Sequence, residues 1–485
     1  MKKSLFLVAA AALALTACSN DDATQQAQAV AAPQAVAFDT YTAGTTRAGE
    51  PYGVMTTDQL KSSAATGFGV FAYYHDNKTY GTDGSNTPDF MFNEHVYWTA
   101  AGGWTYSPLK YWPNETGIDT QDDGATPTAA TSTDEDRLSF FAYAPYVSLT
   151  VDGTIAVDAT PGNNIAAWSV TTPASEHGIY AMSTNEKTGD PLIAWKSNTD
   201  LDAQTDLLWG VAPMGMSYQS VNPTNPADPG YINKDFGLPL TDMLKPDKDQ
   251  KMKFLFQHAL SRISLSVVSA VDQIAPGDDG DHFKENENRV LIESVEISGP
   301  FGIDGTLNLN NTAENKAKWM EGTVKTNAAT PYLTIDNTTS YPTTAYLADD
   351  LFYDTSKLGD VTGAGNASTA ATKFALLNKG VLTSEKILLK EDTSGKPRYM
   401  MVIPTGNTDI TVKITYHVIT LDTKLDTYIS DVKNVITKGV KVNLENSKSY
   451  NLKLVLGLTS VKLDATVADW QVGDDAEVYL PKNNE

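Results

Sequence analysis

The chain has 485 residues, and 36 basic against 59 acidic side chains give a formal net charge of −23. An acidic excess of that size repels phosphate backbones and anionic bilayers, which argues against a nucleic-acid partner. A single cysteine, Cys18, lies near the start, so no disulfide or Cys-ligated metal can staple the rest of the chain. Hydrophobic cores must suffice, and at about 100 to 200 residues per domain the length suggests two or three of them, of which two are expected.

Lys2 and Lys3 precede an unbroken apolar run from Leu5 to Leu15. This is the build of a signal peptide, and it is too short to cross a bilayer, which takes about 20 apolar residues. The run closes on Leu15, Thr16, Ala17 and Cys18, which resembles the lipobox of bacterial lipoproteins. The resemblance implies a signal peptide over residues 1–17 and a lipid-bearing, palmitate-type modification of Cys18. Ser19, Asn20, Asp21 and Asp22 resemble the acidic tract that routes Bacteroidales lipoproteins to the cell surface. Residues 19–46 are otherwise rich in Ala, Gln, Thr and Asp, a linker-like composition. Within them Val30, Ala32, Val36 and Phe38 share one parity, which predicts a strand with one buried face.

From Gly67 onward the dominant period is two. Phe68, Val70, Ala72 and Tyr74 form one alternating set, and Leu138, Phe140, Ala142 and Ala144 form another. Val96 to Trp98 and Trp104 to Tyr106 read as a hairpin around residues 100–103, and Leu149 to Val151 with Ile155 to Val157 as a second around Asp152 and Gly153. Short helical patterns occur only at Thr57 to Ala64 and Ser368 to Asn378. The Pro-, Asn- and Gly-rich stretch from Asn222 to Lys248 marks the domain boundary. Past it, Phe254, Phe256, His258 and Leu260 share a face while Ile263, Leu265 and Val267 take the other parity, which predicts a bulge near Ser261 and Arg262. Later strands read at Val295 and Ile297, at Ile410 to Val418, at Val440 to Leu444 and at Leu452 to Leu456. The class is mostly β.

Three stretches carry a family resemblance: Tyr111, Trp112 and Pro113 ahead of Leu138 to Pro145; Asp206 to Trp209; and Phe254 to Ile263. With the closing strands Tyr450 to Leu458 and Val461 to Val467, and with Asp469 and Trp470, the chain resembles the fimbrillin family, the FimA- and Mfa-type (type V) pilins of Bacteroidales. The resemblance implies two tandem transthyretin-like β-sandwich domains, over residues 48–245 and 246–485, behind a lipidated N-terminal arm at 18–47. It also implies a structural subunit assembled by donor-strand exchange. In such pilins an Arg-specific protease removes the arm with its strand, and a C-terminal strand of another subunit fills the groove by β-augmentation, which is what the resemblance implies here.

The sequence offers matching parts. Arg47, before Ala48, is the first basic residue after Lys3 and is the expected processing point, since a cut there detaches Val30 to Phe38. Ala476, Val478 and Leu480 alternate near the end and are the preferred donor, within residues 474–485; the run Val461, Leu463, Ala465 and Val467 is the other candidate. The expected partners are other pilin subunits, the protease, the outer membrane through lipid before cleavage, and a host or bacterial surface glycan or protein. The expected location is the cell surface, then the fimbrium.

No enzyme, metal or cofactor is expected. The P-loop, zinc-protease, nucleophile-elbow and CxxC patterns are missing, and Gly363 to Ser368 lacks phosphate-loop spacing. His258 sits on the apolar parity of a core strand, which makes it a hydrogen-bonded structural residue. Asp278, Asp279 and Asp281 miss the EF-hand pattern and read as a solvated loop. The rival is a pilus-tip adhesin or a monomeric glycan-binding lipoprotein, with Trp98, Trp104, Tyr106, Tyr111 and Trp112 as a sugar platform; aromatics beside hairpins more often pack in cores.

Overall fold

The computed structural model describes residues 34–42, 57–62, 66–75, 78–81, 87–113, 137–151, 165–170, 177–183, 188–219, 231–246, 250–270, 287–337, 346–354, 366–381, 384–392, 395, 397–422, 424, 428–457 and 461–470. Cys18, Val30, Ala32, Arg47, Ala48, Asp278 to Asp281 and Ala476 to Leu480 lie outside them.

The described residues are mostly strand, as the period-two pattern predicts, and four of their sheets pack as two pairs. In the first pair, one sheet runs in the order Phe38–Thr42, Met252–His258, Leu208–Val211, Leu138–Ala144, Phe68–Tyr74, Met91–Thr99, Gly103–Thr105. Every residue of Leu138–Ala144 is buried, because this strand carries a core on each face. One face holds Phe68, Phe140, Phe254 and Phe256; the other holds Phe71, Phe141 and Trp209 against Trp195 of the second sheet, where Leu192–Lys196 pairs with Gly178–Ser183 and Gly302–Asn308. Strand crowding leaves no room for a side chain at Gly69, where a Cβ would lie 2.2 Å from the Tyr143 ring.

The second pair encloses an aliphatic core of Ile263, Leu265, Val267, Ile414, Leu452 and Leu454 among others. Ser261–Ser269 runs parallel to Lys448–Leu456, and Val461–Asp469 pairs antiparallel with the latter through all nine of its residues. In the facing sheet, Asn288–Ser298 and Ile429–Leu444 flank Gly406–Leu421.

One local expectation differs. The parity switch after His258 is not a bulge: Met252–His258 belongs to the first sheet, the chain crosses at Ala259 and Leu260, and Ser261–Ser269 enters the second pair. Leu149–Val151 pairs with Ile165–Val170, while Ile155 to Val157 lie outside the described residues. The first predicted hairpin forms, with Trp98 opposite Trp104, and the helix Ala367–Ala375 forms with Asn366 accepting from the Thr369 N–H as its cap.

A stack of side chains ties the two pairs together. The His258 imidazole Nδ1 lies 2.7 Å from the Asp206 carboxylate, both fully buried, and the ring stacks on Trp470 at 4.2 Å and 1°. Trp470 also meets the Arg262 guanidinium at 5.3 Å from its ring centre, and that guanidinium lies 4.4 Å from the Tyr399 ring centre. His258 is thus a structural residue of the joint, in line with its place on an apolar face.

Candidate functional site

The site is the seat of the N-terminal arm. Residues Phe38–Thr42 lie parallel to Met252–Phe256, with Phe38 opposite Met252 and Thr42 opposite Phe256. On the arm's other side runs the stretch that comes after Gly103–Thr105, at the opposite end of the sheet order. There Ala35 bridges Tyr111 antiparallel, the Val36 N–H donates to the Lys110 carbonyl at 2.9 Å, and the Trp112 N–H donates to the Gln34 carbonyl at 2.9 Å. Toward Met252–His258, the Met252 N–H donates to the Ala37 carbonyl at 2.8 Å. The arm thereby joins both ends of one sheet and satisfies backbone groups that an open edge would leave unpaired.

Its side chains alternate as the sequence predicts. Val36 and Phe38 are each 1% exposed and Thr40 is 5% exposed, all turned inward. The Phe38 ring sits 5.7 Å from Tyr106, 5.8 Å from Phe140, 5.9 Å from Phe254 and 6.3 Å from Phe68. Edge-to-face and tilted packings of this kind add to plain burial. The Tyr106 hydroxyl donates to the Val36 carbonyl at 2.8 Å, and burial pushes that hydroxyl up to about 12, so it stays a donor at any physiological pH. Thr40 Oγ1 donates to the Phe254 carbonyl at 3.0 Å. Gly210 makes the wall possible, since a Cβ there would come within 2.8 Å of the Phe254 ring.

Of the predicted site residues, the structure brings together Val36 and Phe38. The partners of the arm were missed at the sequence level because they come from 106–112, 140 and 252–256. Only the alternation of Phe254 and Phe256 hinted at them. The other donor candidate, Val461 to Val467, is already an edge strand of the second pair. The proposed sugar platform lies largely inside: Trp104, Tyr106 and Trp112 are buried in the same core as Phe38, while Tyr111 is exposed. Among the described residues no group of three or more His, Cys, Asp or Glu could hold a metal ion.

No protein-family model matches the chain. In sequence it is 33% identical over 163 residues to the fimbrium subunit Fim1C of Phocaeicola vulgatus, a match covering 33% of this chain and 35% of the relative. The match thus spans about a third of that relative's length. In structure it is similar to a fimbrial protein of Bacteroides vulgatus, with a TM-score of 0.51 and 17% identity, covering 90% of this chain and 100% of the other. The resemblance to the fimbrillins is borne out. At 17% identity the structural likeness speaks to the fold alone, and the fimbrillin-like fold is the mostly β arrangement expected. The sequence relative is a fimbrium subunit, which agrees with reading the chain as non-enzymatic.

Proposed function

We propose that the chain is the precursor of a structural fimbrial subunit that polymerises by donor-strand exchange and supports adhesion. It would be exported as a lipoprotein on Cys18, reach the outer membrane, and be cleaved after Arg47. The observation that carries the reading is the arm: a strand from the start of the chain, hydrogen-bonded on both sides, filling an aromatic seat in the first sandwich. Arg47 lies just beyond the end of that strand at Thr42, so a cut there leaves the arm held by noncovalent contacts alone. Its loss would open the edge of Met252–His258 and a pocket walled by Phe68, Phe140 and Phe254. An extended segment with apolar residues at alternate positions suits such a groove. Ala476, Val478 and Leu480 near the C-terminus supply one, and the partner is another subunit.

The test is to treat purified full-length protein with an Arg-specific protease and follow assembly by denaturing and native electrophoresis. The expected result is cleavage after Arg47 followed by ladders of multimers. Arg47→Ala and truncation before Ala476 should each abolish the ladders, the first by keeping the arm and the second by removing the donor. Cleaved protein that stays monomeric under assembly conditions would sink the reading.

A further inference from the structure

We infer that the Phe38 seat sets the register of the donor strand, and that a second copy of this chain enters with Val478, Leu480 and Lys482 in the places of Val36, Phe38 and Thr40. The inference rests on the donor-strand reading above and assigns which tail residue fills which place.

The arm's three inward side chains meet three different surroundings. Val36 is a β-branched aliphatic residue whose N–H donates to the Lys110 carbonyl and whose carbonyl accepts from Tyr106. Phe38 fills a pocket walled by four aromatic rings. Thr40 spends its hydroxyl hydrogen on the Phe254 carbonyl. An occupant running in the arm's direction must therefore offer, at every second residue, a small aliphatic group, a large apolar group and a hydrogen-bond donor.

Residues 471–485 come after Trp470 and read QVGDDAEVYLPKNNE. Val478, Leu480 and Lys482 meet all three demands in order. The lysine ammonium is a donor on a long stem that can lie along the groove and reach the carbonyl. One step back, Ala476, Val478 and Leu480 would put valine in the aromatic pocket, leaving a void, and leucine against the Phe254 carbonyl, where it has no hydrogen to give. The opposite parity puts Glu477 in the Val36 place and buries a carboxylate without a partner. Reversing the strand fares no better. Reversed about Leu480, Val478 would face the Phe254 carbonyl with no hydrogen to give; reversed about Tyr479, Glu477 would face it and Pro481, which has no N–H, would stand where Val36 donates to Lys110. In both same-direction alignments Pro481 falls on the alternate parity, so its missing donor does not separate them.

The experiment compares full-length protein, cleaved with the Arg-specific protease, in its natural form and as Leu480→Phe, Leu480→Ala and Val478→Phe. The readouts are ladder formation and the rate at which isolated two-copy complexes fall apart in denaturant. Leu480→Phe should persist at least as long as the natural tail, because phenylalanine already fits the pocket. Leu480→Ala should fall apart roughly tenfold faster or more, as a buried leucine truncation does. Val478→Phe should assemble poorly, since the Val36 place is built for a smaller group. If Val478→Phe strengthens the complex and Leu480→Phe weakens it, the register one step back is the true one and the inference is overturned. Equal behaviour of all forms overturns it as well. Natural protein that stays monomeric after cleavage instead fails the donor-strand reading itself.

Discussion

Phe38 alone buries an aromatic ring among four others, and its truncation tests how firmly the arm is held. Phe38→Ala should lower the stability of the uncleaved chain by about 3–5 kcal/mol, the usual cost of removing a buried aromatic. Faster hydrogen exchange across residues 34–42 should accompany the loss. After the arm has been cut away and washed out, mutant and natural protein should melt alike. Titratable residues matter elsewhere, on the outer face of Gly406–Leu421. There His417 lies 2.7 Å from Asp431 and 3.1 Å from Glu293, with Tyr353 stacked on its ring at 3.5 Å. Hydrogen bonding from Lys433, then from His417, holds the Glu293 carboxyl low. Burial pushes Asp431 up, but hydrogen bonds from His417 and Tyr353 and the nearby positive charges outweigh it and leave that carboxyl low too. A carboxyl that binds its proton more weakly folded than unfolded lends stability above the ordinary carboxylate range, and loses it as the pH falls through the lowered value. Thermal unfolding should therefore drop on acidification below about pH 4, and Asp431→Asn should flatten that drop.

Elements differ in how much of themselves they show in the sequence. The arm was legible as a strand from Val36 and Phe38 despite its linker-like surroundings, because one face is buried and alternation results. The hairpin partner Ile429–Leu444 was legible only at its Val440, Val442 and Leu444 end. Most of its other residues are exposed or partly so, with Val432 and Val435 among the exposed ones, so no period marks it. As an edge strand it carries Lys433, Lys438 and Lys441, charges that oppose further pairing. Replacing Lys438 and Lys441 with Thr should raise the aggregation of the otherwise folded chain, measured by light scattering at constant melting temperature. The parity switch at Ser261 reads as a bulge in sequence because two collinear strands in different sheets produce the same pattern. Nothing local separates a kink within one sheet from a crossing between two.

At the scale of the molecule, the joint decides whether the sandwiches unfold separately. Met401, Ile403 and Trp470 share one core with Phe71, Trp195 and Trp209, and Trp470 stacks on His258 over the buried Asp206. The described residues should therefore unfold in one cooperative transition by calorimetry, which Trp470→Ala shifts down by about 3–5 kcal/mol; two resolved transitions in the natural protein would contradict a shared core. By itself the sequence determined the β class and the inward face of the arm, because each of these is written in neighbouring residues. The seat of the arm was decided only by tertiary structure. Its walls come from residues 68, 106, 140 and 254, and such distant positions meet only when strand order brings opposite ends of one sheet to the same side chain.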